Sequence, residues 1–181
     1  VELQPAGASD WSRGAVSKAL SFGDRLRTAA SSRATVRLTD LTVIRVNEST
    51  TFEIQPPAAP KINPVLNLRN GSVYLYSRDR SQEFQIRTPV AAGAIRGTEF
   101  NLTVGADGRT QLTLLDGEVD LSNEQGPTVK LARGEHGTVA AGPAPRRTAV
   151  ADPIPIIQWA LSYPGRPHPA ALSLHPTLPP P

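Results

Sequence analysis

The sequence predicts an all-β domain, and three observations carry that prediction. Short alternating or β-branched segments recur about every ten residues between residues 34 and 140, the spacing of a sandwich, a barrel or a solenoid. No apolar stripe of helical period occurs before residue 150,. Turn signals punctuate the segments, at Gly23-Asp24, Asp40, Asn70-Gly71 and Asp116-Gly117,.

In chain order, residues 1–10 show no periodicity and read as a loose lead-in, while residues 11–20 fit either a short helical turn or an irregular strand. Gly23 and Asp24 open the regular part, with Leu26 pointing inward. Residues 34–39 put Val36 and Leu38 on one face, and residues 42–46 and 50–54 are β-branched runs,. The Pro-rich residues 56–64 read as a surface loop,. Residues 65–68 alternate again, and Asn70-Gly71 predicts a hairpin into residues 72–77,.

Residues 84–104 form the central unit. Phe84, Ile86 and Thr88 share a face. Pro89 then removes a backbone donor, so the ladder stops or bends,. The small, Gly-bracketed residues 91–97 suit a tight corner,. Beyond it Phe100, Leu102 and Val104 alternate with Glu99, Asn101 and Thr103. Residues 109–115, a second hairpin at Asp116-Gly117, and residues 118–121, 128–131 and 137–140 complete the strands,. The inward positions expected are Phe84, Ile86, Phe100, Leu102, Leu112 and Leu114. Gly71-Ser-Val-Tyr-Leu and Gly117-Glu-Val-Asp-Leu echo each other, as solenoid coils or similar hairpins of a sandwich both would,. Five regions follow: a lead-in (1–22), the β domain (23–140), a Pro-rich linker (141–155), a short Trp-containing segment (156–163) and a disordered Pro-rich tail (164–181),.

Composition excludes several functions. There is no cysteine, hence no disulfide framework or thiolate chemistry,. No apolar run reaches the ~20 residues that cross a bilayer as a helix,. Net charge is +3, but Arg25, Arg27, Arg33, Arg37, Arg45, Arg87 and Arg109 are scattered over polar strand faces. No basic run with interleaved aromatics marks a nucleic-acid partner,. The sequence starts at Val1 and contains no methionine, which suggests a processed chain. A removed secretory signal and a trimmed fragment both account for that, and the first implies a periplasmic or secreted protein.

Catalysis and metal binding find little support. His136 lies between Glu135 and Gly137 at an expected turn, with no nucleophile, base and orienter set around it,. Asp116, Glu118 and Asp120 lack the Asp-x-Asp-x-Asp-Gly order of a calcium loop and read as a solvated acidic edge,. Gly93-x-x-x-Gly97 lacks the Lys-Ser/Thr of a phosphate loop,. The expectation is a non-enzyme with no catalytic residue, cofactor or metal. Tyr74 and Tyr76, with Arg78 and Arg80 following, have the composition of a protein-recognition surface,. Coverage of the tyrosines by a second sheet or by the Trp159 segment is the competing reading.

Five pieces carry a resemblance: Gly23-Asp-Arg-Leu-Arg-Thr, Ala34-Thr-Val-Arg-Leu, Phe84-Gln-Ile-Arg-Thr-Pro, Ile95-Arg-Gly-Thr-Glu-Phe and Leu115-Asp-Gly-Glu-Val. In this order and spacing, over residues 14–140, they resemble the FecR-domain family of bacterial extracytoplasmic signalling proteins. The resemblance implies a β-solenoid or two-sheet sandwich of short, mostly antiparallel strands. It assigns structural roles to Gly23, Asp24, Thr88, Pro89, Arg96, Gly97, Thr98, Phe100 and Gly117. Gly97 is expected either to adopt a positive φ or to pack against a neighbouring backbone. Arg96 is expected to pair with Glu99 across the bend. Members of this family sit in the periplasm and regulate an extracytoplasmic-function sigma factor through a cytoplasmic segment and a membrane helix, neither of which occurs in these 181 residues. Other FecR-like domains resemble secreted modules attached to helical repeats, and residues 157–164 resemble the junction before such repeats. The resemblance therefore implies a non-catalytic signalling or sensing module whose partner is another protein of the cell envelope. The alternative is a structural module that scaffolds repeats or envelope components.

Overall fold

A computed structural model describes residues 1–38, 41–57, 64–77, 83–123, 126–162 and 172–174. In order, the strands are β1 (Glu2–Gln4), β2 (Ser12–Arg13), β3 (Ala19–Leu20), β4 (Arg25–Arg27), β5 (Ala34–Arg37), β6 (Val43–Val46), β7 (Thr51–Gln55) and β8 (Val65–Tyr76). There follow β9 (Glu83–Arg87), β10 (Ala91–Val104), β11 (Thr110–Asn123), β12 (Thr128–Ala132), β13 (Glu135–Val139) and β14 (Arg146–Ala149). Helix α1 (Ile154–Leu161) and β15 (Leu172–Leu174) end the described chain.

Three long strands organise the fold, because each changes partners halfway along. The first half of β8 pairs with β7 and, in parallel, with β9; its second half pairs with β6 and β10. The first half of β10 lies between β9 and the end of β11, and its second half between β8 and the start of β11. β11 hands over from β13 to β12.

At each handover the buried phase slips by one residue. Leu66 and Leu68 precede Val73 and Leu75, Ile95 precedes Phe100 and Leu102, and Leu112 and Leu114 precede Val119 and Leu121. A strict two-residue alternation would turn one half of each strand inside out. A bulge absorbs the slip, in β10 between Arg96 and Glu99 and on the β7–β8 ladder between Thr51 and Phe52,. Gly71 (φ +89°) and Gly117 (φ +114°) take left-handed backbone there,. The two expected hairpins at Asn70-Gly71 and Asp116-Gly117 are thus corrected: each glycine bends one continuous strand. The Gly-x-Val-x-Leu echo has the same origin, a bend followed by two inward positions.

The all-β expectation holds, and among the described residues all but three of the strand pairings are antiparallel. In place of the expected solenoid or two-sheet sandwich, the pairings β8–β9, β9–β10 and β10–β8 close on themselves as a small barrel. The barrel is filled by Phe52, Phe84 and Phe100 with Leu26, Ile44, Leu68, Leu75, Ile86, Ile95, Leu102, Leu112 and Leu114, all buried. All six residues expected inward are among them.

Several local expectations change. Residues 2–4, expected in a loose lead-in, form β1 and pair with both β4 and β2. Residues 91–97 are strand rather than corner; the turn is Thr88 to Ala91, closed by Thr88 N donating to Ala91 O at 2.8 Å, with Pro89 at the position its fixed φ suits. The expected linker carries β14, an antiparallel neighbour of β13. Within the expected tail, β15 runs parallel to β3 and β5. The other residues of 164–181 except those three, the Asp40 turn and residues 58–63 lie outside the described residues.

Candidate functional site

The site is the outer face of one wall of the barrel, built from β6, the end of β8, the second half of β10, the start of β11 and β13. Arg45, Tyr74, Asn101, Thr113 and His136 stand directly opposite one another on successive strands. Side chains directly opposite share a face, so a polar row crosses five strands. Its outward direction follows from the inward Ile44, Val73, Leu75, Phe100, Leu102, Leu112 and Leu114 that alternate with it,.

Helix α1 lies on this row. Tyr74, Ile157 and Ala160 are buried together, with Leu115, Ile156 and Trp159 packed around them. The Arg45 guanidinium Nη1 donates to the Ala160 carbonyl. The last four carbonyls of a helix have no intrahelical donor and carry the negative end of its dipole, so an arginine there is doubly suited. The Tyr74 hydroxyl donates to Glu99 Oε1. Burial, with the Glu99 carboxylate second, pushes the Tyr74 phenol well above its ordinary range,. It stays a neutral donor. Thr113 Oγ1 and His136 Nδ1 are 2.8 Å apart, and burial lowers the His136 pKa. His136 thus belongs to β13, not to a turn. Asn101 is 2 % exposed. Its Nδ2 donates to Thr103 Oγ1 at 3.2 Å, while its Oδ1 has no hydrogen-bond partner among the described residues.

The two tyrosines expected outward have different fates. Tyr74 is covered by the Trp159 segment, and Tyr76 is 40 % exposed. Arg78 and Arg80 lie outside the described residues. The cover could have been anticipated from Ile-Pro-Ile-Ile-Gln-Trp-Ala-Leu at residues 154–161, where only Pro155 and Gln158 interrupt an apolar circumference.

The remaining motif residues hold the fold. Gly23 (φ +87°) donates its N–H to Ile54 O at 2.9 Å. The Asp24 carboxylate accepts from Ser21 N at 2.8 Å and Ala6 N at 2.9 Å. Thr88 Oγ1 accepts from Ala91 N at 2.9 Å and lies 2.7 Å from Thr110 Oγ1. Phe100 is buried opposite Leu75 and Leu114. Thr98 sits in the β10 bulge. Gly97 has no positive φ; a Cβ there would collide with the Asp116 carbonyl and lie 2.8 Å from Gly117 Cα. Of the two accounts of Gly97, close backbone approach is the one observed. Arg96 pairs with Glu83 at 3.1 Å, not with Glu99, because the bulge separates the two and Tyr74 engages Glu99.

Among the described residues no group of three His, Asp or Glu side chains could hold a metal. Asp120 lies 3.9 Å from Lys130. Two open hollows on another wall, ≈ 320 and ≈ 290 Å³, share Ala94 and Asp120 and are edged by Arg87, Arg96 and Lys130. Neither has the enclosed apolar lining of a cofactor site.

The fold and this wall define a class: an all-β module whose polar face is clasped by a single helix. The FecR protein family matches residues 24–120, more than half of the chain, and the chain belongs to that family. No curated protein matches the sequence. Two crystal structures of a candidate anti-sigma factor from Parabacteroides distasonis ATCC 8503, at 1.65 and 2.50 Å resolution, share the fold. Each matches with a TM-score of 0.64 at 18 % identity over 76 % of this chain. This chain spans just under two thirds of theirs, 65 % and 64 %. At that identity the likeness is one of fold.

Proposed function

We propose that this chain is a non-catalytic sensing module of an extracytoplasmic signalling system that works by binding another protein of the cell envelope. The observation that carries the reading is membership of the FecR family over residues 24–120. The fold it shares with a candidate anti-sigma factor supports a regulatory role. The polar wall agrees with binding rather than bond-making: His136 engages Thr113, not a carboxylate, and a nucleophile–base–orienter set is lacking among the described residues,. The proposed location is the periplasm or the outside of the cell.

The test is capture from a periplasmic extract with the full chain as bait, followed by the activity of a sigma-factor reporter in cells that overproduce the chain. Retention of one envelope protein together with a changed reporter supports the reading. A hydrolytic activity that disappears in His136→Ala, with no reporter response, overturns it.

One observation favours the scaffolding alternative. Ile154 and Leu161 of α1 are each 49 % exposed, although a helix apolar around most of its circumference belongs under cover on more than one side. If scaffolding is the role, binding of the scaffolded envelope component buries both residues and leaves the reporter unchanged.

A further inference from the structure

The polar row that crosses β6, β8, β10, β11 and β13 runs one strand further, because His136 stands opposite Thr148 on β14. There the sheet stops. Among the described residues β14 pairs with β13 and with no other strand, and Arg146, Arg147, Thr148 and Ala149 are all exposed. An edge of this kind presents a row of unpaired N–H and C=O groups.

One hydrogen bond tells which groups those are. Val150 N donates to Gly134 O at 2.8 Å, so Val150 turns its backbone toward β13. In an antiparallel pair the direction alternates residue by residue. Thr148 and Arg146 therefore bond to β13, and the N–H and C=O of Arg147 and Ala149 face away from the sheet. The edge of β12 is treated differently, for side chains close it. Glu135 Oε2 accepts from Ala132 N at 2.8 Å, and Arg147 Nη1 donates to Lys130 O at 3.3 Å.

The charge along the β14 edge is positive. Arg146 and Arg147 alternate to opposite faces of the strand, and Arg133 precedes Gly134 at its far end. Glu135 lies 3.6 Å from Arg147, and Asp152 Oδ1 accepts from Ile154 N at 2.9 Å. Arg146 and Arg133 have no ion-pair partner among the described residues.

We propose that β14 is the docking edge of this module, where an extended acidic segment of a partner protein adds as the next strand. Backbone bonds to Arg147 and Ala149 hold the segment, and carboxylates beside Arg146 select it. Charged residues on an edge also turn other strands away. Two arginines refuse a basic segment and accept an acidic one. Helix α1 covers a face of this sheet, whereas a new strand joins in the plane of the sheet, so the helix does not stand in its way. The dock rests on the sensing role proposed above only for the source of the segment.

The probe is a blocked hexapeptide, Val-Glu-Glu-Val-Thr-Val, with a control in which both glutamates are lysines. Amide exchange of the full chain is followed by NMR. In the free chain Arg147 and Ala149 exchange fast and Thr148 slowly. The acidic peptide at about 1 mM slows exchange at Arg147 and Ala149 by about twofold or more, while the lysine control changes nothing. Arg146→Glu weakens peptide binding about tenfold or more. Ala149→Pro keeps every charge and gives up only an N–H that faces away from β13, a place where an edge strand tolerates proline. It should melt like the parent and lose the protection of Arg147. If it melts lower, Arg146→Glu, which removes no backbone bond, carries the test. Slow exchange at Arg147 and Ala149 in the free chain, no protection by the acidic peptide, or equal binding of it by the parent and either variant would each overturn the proposal. A sigma-factor reporter that ignores the overproduced chain sinks the sensing role and leaves the dock standing, and failure of the peptide does the reverse.

Discussion

Gly97 and Gly117 face each other where β10 and β11 bend, and their backbones approach closer than any side chain allows. In Gly97→Ala the new Cβ meets the Asp116 carbonyl and Gly117 Cα, backbone atoms that cannot rotate away. A cost of ~2–3 kcal/mol follows from overpacking of this kind. Arg96 is next in sequence but different in role. Its side chain is 65 % exposed and its partner Glu83 35 % exposed, so Arg96→Ala should cost at most ~1 kcal/mol. Thermal melts of the two variants side by side should show a clear drop for Gly97→Ala and almost none for Arg96→Ala. Equal melting of both variants and parent would refute the close approach. His136 gives a pH signature. Burial lowers its folded pKa, so the unfolded chain takes up a proton first as pH falls below the ordinary imidazole value of ~6.5. Its contribution to stability is therefore complete above that value and declines from there down to the folded pKa. The urea midpoint of the parent should fall over this range relative to that of His136→Gln, and the two should run parallel above it.

At the level of elements, α1 is the piece held most lightly. It has two turns, no side-chain cap at Pro153, no acidic residue in its first turn and no basic one in its last. Helices this short do not persist alone in water, so docking on Tyr74 through Ile157 and Ala160 keeps it formed. Ile157→Ala should weaken that docking by roughly 2 kcal/mol or more. Because the helix lies outside the barrel core, the loss should be local. Amide exchange at Ser162, whose N–H donates to Gln158 O at 2.8 Å, should quicken while exchange at Leu102 holds. A matching rise in exchange at Leu102 would mean that α1 is part of the cooperative core. The sequence shows why α1 was legible only as a segment: Ile154 to Leu161 is apolar nearly all round, so no face declares itself. The long strands were misread for a related reason. Asn-Gly and Asp-Gly favour left-handed backbone, and that preference serves a bend in one strand as well as a turn between two.

For the whole molecule, the ends of the chain complete the sheet. β1 covers the edge of β4 through three paired residues and in turn carries β2, while Arg27 bonds Glu2 at 2.6 Å and stacks 4.2 Å from the Trp11 ring. Removing residues 1–13 should leave the β4 edge bare, lower the melting temperature by several degrees and promote association through the open edge. A truncated chain that melts like the parent would show that the lead-in is dispensable. The FecR motifs were readable as motifs because each serves the backbone locally: Asp24 accepts two N–H groups, Thr88 closes a turn, and Gly97 and Gly117 admit a close crossing.

The sequence by itself determined the β class, the inward set from Phe84 to Leu114 and the family, because period-two alternation and turn chemistry are properties of neighbouring residues. Only the tertiary structure decided that the strands close into a small barrel, that Tyr74 lies under α1 while Tyr76 faces solvent, and that Arg96 pairs with Glu83. Each of these depends on which strands meet. That is set where the long strands bend, at the bulges on the β7–β8 and β10–β11 ladders, where a slip of one residue redirects every side chain beyond it,.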